Sequence, residues 1–328
     1  MKMTQDWDGC RWDQKSGHYE SWFQRANHPT RPLAFWIRHT IFAPKGKPEE
    51  AQGEIWSVYF DGEKDVVLAQ KTEVPRRDCA FDPKTLDVKM PGAQLKPGAL
   101  VGGTGKLAWD MTWSGGLGPS LLLDEALYAG GFPRAKMLTC VPNAVFAGTY
   151  SVEGTPIDVG GWVGSHNHNW GSQHTDRYAW AQVCGFDDAP GVFLECGIGQ
   201  VKIGPVMTPK VTVAALTVGG RRYAINTIGR GLRAKATPEG FQMRFTTSDD
   251  GVELDVAVQA PPHAFVGLRY RNPIGGAKAC LNSKIARAQV TLKTLEQTRT
   301  FTSTHRAAFE ILCEESDPRV ATVGGLKV

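Results

Sequence analysis

No C-x-x-C pair occurs in the 328-residue sequence, although it holds seven cysteines, at positions 10, 79, 140, 184, 196, 280 and 313. A zinc ribbon and a thioredoxin-like redox motif are thereby excluded. An odd, scattered set of thiols fits free and mostly buried cysteines in a reducing, cytoplasmic setting. The first thirty residues contain no apolar h-region of a secretory signal, and no run approaches the roughly 18 apolar residues of a membrane-spanning helix. Strong charge of either sign is also missing: 37 Lys and Arg stand against 33 Asp and Glu, a formal charge of +4. The densest basic clusters are pairs such as Arg76-Arg77 and Arg221-Arg222. No basic stripe for nucleic acid is present, since phosphate contacts supply most of that affinity. Nucleotide motifs fail too. In Gly102-Gly103-Thr104-Gly105-Lys106 the next residue is Leu107 where a P-loop needs Ser or Thr. There is no G-x-S-x-G elbow and no βαβ alternation, so neither a serine nucleophile elbow nor nucleotide-dependent chemistry is expected.

What the chain does have is 37 Gly, 20 Pro and 10 Trp, a composition of many short elements joined by turns. Period-2 patterns dominate. Phe241, Met243 and Phe245 alternate with polar residues, as do Leu254, Val256 and Val258 after the turn Ser248-Asp249-Asp250-Gly251, which predicts a half-buried antiparallel hairpin. Gly219-Gly220 predicts a tight turn between 211–218 and 221–228. Asp61-Gly62, Glu153-Gly154 and 187–191 mark further turns, and only 119–128 reads as a short helix. An all-β chain with roughly 16 to 20 strands follows from the turn spacing, best closed as two consecutive barrels or sandwiches. An apparent internal repeat supports two halves. GHYESW at 17–22 and SHNHNW at 165–170 each precede an aromatic strand, 35–39 and 178–182, and then a third strand. The expected domains are 1–150 and 151–328.

The segment 160–171, GGWVGSHNHNWG, is the richest in chemistry. On a strand His166, His168 and Trp170 share one face. Two imidazoles beside an indole offer proton donors and acceptors next to a π surface. With His174 they also fit a metal site, although no carboxylate lies at ligand spacing. Equally, paired histidines in an Asn-rich, Gly-bounded stretch serve to satisfy buried backbone groups.

GHYESWF, HNHNWG and the aromatic strand that follows resemble the carotenoid hydratases (hydroxyneurosporene synthases), with kievitone hydratase, tocopherol cyclases and cofactor-free cyclases as more distant look-alikes. The resemblance covers most of the chain in order of elements, but its specific motif, His-x-His-x-Trp-Gly, is short. Asn167 stands where such hydratases often carry Asp. The resemblance implies tandem lipocalin-like (calycin) antiparallel barrels, an apolar isoprenoid-like or polyketide-like ligand, and no cofactor. It also implies an acidic proton donor on the strand after the motif, where this sequence has Glu195, with Phe193 two residues before it. Trp170 and Trp180 would steady a developing carbocation. A carboxyl group in the apolar run VFLECGIG would stay protonated at neutral pH, because burial disfavours its charge. Solvation of Glu195, or pairing with Arg177 or Lys202, would instead make it structural.

Three functions follow. The first is a cofactor-independent hydratase, isomerase or cyclase with Glu195, His168 and His166 as its acid–base groups. Trp170, Trp180, Tyr178, Phe193, Glu20 and Trp22 would then line the substrate. The second is a carrier of an apolar ligand, which the same fold supports, alone or as a homo-oligomer. The third is a metalloenzyme using His166, His168 and His174. The first requires the two histidines, Trp170 and Glu195 to face a single cavity.

Overall fold

Alternation decides which face each strand buries. In Leu107–Ser114 the residues Leu107, Trp109, Met111 and Trp113 are buried while their neighbours are exposed, as expected of a barrel wall that meets solvent. The strands His18–Asn27 and Leu33–Ala43 differ, since every residue in them is buried. Such strands need cover on both faces, and a second β layer supplies it.

In the computed structural model, which describes residues 7–323, the chain forms a 13-stranded and an 11-stranded sheet, with one separate two-stranded ribbon. The two sheets have one topology. In the first, His18–Asn27 is flanked on one side by Leu33–Ala43, Gln52–Asp61 and Val66–Pro75. On its other side lie Trp162–Gly171, Ala135–Val152, Leu107–Ser114, Ala99–Thr104 and Ala93–Lys96. In the second, Arg177–Cys184 has Phe193–Gln200, Val211–Val218 and Arg221–Ile225 on one side. Thr298–Cys313, Ala277–Lys293, Val252–Gln259, Gln242–Asp249 and Lys235–Glu239 follow on the other. Each unit thus pairs its first strand with its last. The long penultimate strand of each carries two register shifts, and such bulges bend a sheet toward closure. In the first unit the curl brings Thr72 Oγ1, on the edge strand Val66–Pro75, within 2.7 Å of Thr104 Oγ1 on Ala99–Thr104, seven strands away in the sheet order.

Each barrel has its own core. Trp22, Phe35, Trp109, Phe146 and Trp162 fill the first, and Leu254, Val256, Phe245 and Phe309 the second. A third apolar cluster, including Phe23, Trp36, Trp180 and Tyr270, lies between them. A fully buried arginine ties the barrels together there. Arg25 Nε donates to Gln182 Oε1 at 2.9 Å, and its Nη atoms reach the Gln182 and Arg306 carbonyls across the interface.

Two expectations need correction. The predicted boundary near 150 falls at the end of Ala135–Val152, whereas the first sheet continues through Trp162–Gly171 and the change of sheet follows Gly171. The outermost parts of the two expected ranges, 1–6 and 324–328, lie outside the described residues. The cause is the repeat register. SHNHNW is not the counterpart of GHYESW but its antiparallel neighbour, with Glu20 opposite Trp170 and Trp22 opposite His168. The counterpart of His18–Asn27 by topology is Arg177–Cys184. The expected helix is also shorter: Ser120–Leu121 is extended and only Ala126–Ala129 is helical. The two-residue turns at Gly219-Gly220 and Asp250-Gly251 fall as predicted, with positive φ at all four positions.

Candidate functional site

The period-2 rule sends alternate residues of the shared wall to opposite sides, and two polar regions result. From the first barrel, Tyr19, Phe23, Trp36 and Arg38 project outward. From the second, Tyr178 and Trp180 project to meet them. Between these groups lies a largely apolar cavity of about 180 Å³. The Phe23 and Trp180 rings meet edge to face at 6.4 Å. Glu310 also reaches the cavity. Its Oε1 accepts from Lys284 Nζ at 2.8 Å and Asn282 Nδ2 at 3.0 Å, and the Tyr178 hydroxyl donates to its Oε2 at 3.3 Å.

Glu195 sits beside this cavity, fully buried. It lies two residues from Gly197, which forms part of the wall, on the same strand face and about 6.6 Å along it. The Trp180 indole Nε1, at the cavity, donates to Glu195 Oε1 at 3.3 Å, while Oε2 is buried without a partner. Burial pushes the Glu195 carboxyl up to about 7, against the opposing pull of the Thr139 hydroxyl and the Trp180 indole. Neither Arg177 nor Lys202 pairs with it; Lys202 Nζ lies instead 3.9 Å from Glu314. Phe193 is fully buried on the same strand, outside the cavity wall.

The second polar region is inside the first barrel. Glu20 Oε1 lies 2.8 Å from His168 Nε2, and Oε2 2.9 Å from His18 Nε2. Burial alone would raise Glu20, but the hydrogen bonds of His168 and His18 outweigh it and hold the carboxyl at about 2. His166 Nε2 lies 2.9 Å from Asp8 Oδ1, and Asp8 is held below the ordinary carboxylate range because His166 outweighs the effect of burial. Trp22 stacks on His168 at 4.9 Å and donates its indole N–H to the Asp8 carbonyl at 2.8 Å. Trp170 receives the Arg11 guanidinium on its face at 4.2 Å. His168 Nδ1 meets the Trp7 carbonyl at 2.5 Å, and the Arg11 amide donates to both Glu20 oxygens. These polar groups are engaged in fixing segment 7–11 within the first barrel.

The predicted site residues are therefore divided. Tyr178 and Trp180 line the inter-barrel cavity and Glu195 adjoins it. His166, His168, Trp170, Glu20 and Trp22 face the first barrel's interior, on the other side of the wall. The expected single cavity for His166, His168, Trp170 and Glu195 does not form, because alternation separates them. The His166, His168 and His174 metal arrangement also fails. His174 lies on the opposite side, stacked on Tyr19 at 3.9 Å, with Nε2 at 3.1 Å from the Arg271 carbonyl. Among the described residues, the ligand-type atoms that converge are those of Asp8, Cys140 and His166. They close on one another, with Cys140 Sγ 3.0 Å from Asp8 Oδ1.

Sequence reasoning missed Tyr19, Trp36, Arg38 and the Lys284–Glu310 pair. The signal was present in the residues between those singled out. Once His18, Glu20 and Trp22 are assigned inward, Tyr19, Ser21 and Phe23 must face the other way. An aromatic outward face implies a covering partner.

No family model matches the chain. It is 24% identical to an uncharacterized protein of Mycobacterium tuberculosis over 284 residues, 86% of this chain and 83% of that protein. Solved structures share the fold. An AttH-like protein of Nitrosomonas europaea superposes with a TM-score of 0.61 at 13% identity, covering 96% of this chain and 97% of its own. CghA, in complex with Sch210972, gives 0.57 at 14% identity over 92% and 89%. Kievitone hydratase from Nectria haematococca gives 0.55 at 10% identity over 91% and 89%. The fold is thus two consecutive lipocalin-like barrels, shared with these solved structures.

Proposed function

We propose that the protein is a cofactor-independent hydratase or cyclase that protonates an apolar small molecule in the inter-barrel cavity, with Glu195 as the acid. The observation that carries this reading is a fully buried carboxyl raised to about 7, with one bare oxygen, bound to an indole of the cavity wall. Protonating an alkene needs an acid that keeps its proton near neutral pH and whose conjugate base is not already committed to a cation. Glu195 meets both conditions. Glu20 meets neither, because two histidines hold it as a carboxylate. Trp180, Trp36 and Phe23 offer π faces to a developing cation, and Tyr178 and Glu310 polar groups near its quenching end. His166 and His168 act at a distance, by fixing the first barrel's wall. The kinship of fold with kievitone hydratase and CghA supports this class of reaction, and the motif resemblance to carotenoid hydratases points the same way, toward an isoprenoid-like or polyketide-like body.

The test is to recover the apolar molecule that co-purifies with the protein, identify it by mass spectrometry and follow its conversion. Glu195→Gln should lower turnover at least about 100-fold while retaining binding. Full turnover by the variant would remove Glu195 as the acid. Stoichiometric retention without turnover by either form would make the protein a carrier.

A further inference from the structure

Arg38 is a cation without a counter-ion at the wall of the inter-barrel cavity. It is 4% exposed. Nη2 donates to Ser21 Oγ at 2.6 Å, Nε is buried with no partner, and the guanidinium lies 4.5 Å from the centre of the Tyr270 ring. Among the described residues no carboxylate pairs with it. The two nearest in influence are committed elsewhere: Glu54 to Lys71 at 3.0 Å and to Arg271 at 2.5 Å, and Glu310 to Lys284 at 2.8 Å. The other cation of the wall, Lys136, spends its ammonium on the Gly130 carbonyl. The remaining basic group, His174, is held neutral because burial lowers it to about 3. The cavity wall thus offers donor groups of Arg38 that no carboxylate occupies, on an apolar background that an anionic group would complement.

We propose that the ligand of this cavity is an apolar molecule bearing one carboxylate, held by the uncommitted N–H groups of Arg38. The planar guanidinium fork matches a carboxylate in geometry as well as charge. The ligand's apolar body then lies against Trp36, Phe23 and Trp180. This assignment rests on the inter-barrel cavity being the ligand site and adds the chemical class of what enters it.

Geranic acid and its methyl ester share one isoprenoid body and differ in the anion, so they serve as probes in calorimetric titrations at about pH 8. The wild-type protein should bind the acid about 10- to 100-fold more tightly than the ester. Arg38→Met should bring the acid down to the affinity of the ester and leave the ester unchanged. Arg38→Lys keeps the charge but not the fork, and should retain a preference reduced several-fold. It serves as the readout if the methionine variant does not fold. Lys136→Met should leave the preference intact. Equal binding of acid and ester by the wild-type protein, or a preference that survives Arg38→Met, would overturn the assignment to Arg38 while leaving the cavity as an apolar site. Failure of the wild-type protein to bind either probe would overturn both.

Discussion

Glu195 and Glu20 are both fully buried carboxyls, and their surroundings send them in opposite directions. Glu195 is raised from an ordinary 4.5 to about 7 because burial dominates. The folded protein therefore keeps a proton that the unfolded chain releases. The stability this contributes is fully present below the unfolded value and is lost as pH rises through about 7. A difference of this size is worth about 3 kcal/mol. Glu195→Gln cannot ionise, so it should match the wild-type protein at about pH 4.5 and exceed its stability by about 3 kcal/mol at about pH 8, in denaturant melts of both proteins. An unchanged difference between the two pH values would show that Glu195 is not a protonated, buried acid. For Glu20 the sign reverses: its contribution is present above the ordinary carboxylate range and is lost as pH falls toward about 2. The sequence made the Glu195 environment legible, because VFLECGIG is apolar on both sides of the residue. It could not reveal the fate of Glu20, since the histidines that hold it come from positions 18 and 168, separated along the chain and joined only by strand pairing.

At the scale of strands, the turns were the legible part. Gly219-Gly220, Asp250-Gly251 and Asp61-Gly62 declare themselves through residues that accept special backbone geometry. Strand partnership was not legible, because a motif looks the same whether it heads a new repeat or closes the previous one. GHYESW and SHNHNW look alike because they are adjacent strands of one wall, each sending His and Trp into the same barrel. The outward side of that wall carries the device that docks the barrels. Arg25 donates to Gln182 and to carbonyls of the second barrel, and Asn27 Nδ2 donates to the Lys284 carbonyl at 2.7 Å. Removing the guanidinium takes away its hydrogen bonds to Gln182, to Asn27 and to the Arg306 carbonyl at a buried seam. Arg25→Met should therefore lower stability by about 3 kcal/mol or more, measured by chemical denaturation. A loss below about 1 kcal/mol would mean that apolar contacts between Phe23, Trp36 and Trp180 dock the barrels by themselves.

Over the whole molecule, two copies of one topology enclose a site that neither barrel forms alone. The first barrel brings Phe23, Trp36 and Arg38, and the second brings Trp180, Glu195 and Glu310. Composition and alternation were enough to predict an aromatic all-β chain, since each strand's pattern reports its own burial, while two barrels rather than two sandwiches came from the resemblance. Which barrel face meets which is a property of the assembled pair, and it puts the histidine motif on the first barrel's inner side while Glu195 lies beside the cavity wall. An acid-catalysed hydratase or cyclase transfers a proton from Glu195 to carbon, and Glu195 regains that proton from solvent. The most direct measurement is conversion of the co-purified molecule in deuterium oxide, with mass spectrometry of the product. The wild-type protein should place one deuteron on carbon, at a rate that falls as pH rises through about 7, and Glu195→Gln should place none. Product formed without deuterium on carbon, or with the same deuterium content by the variant, would contradict it.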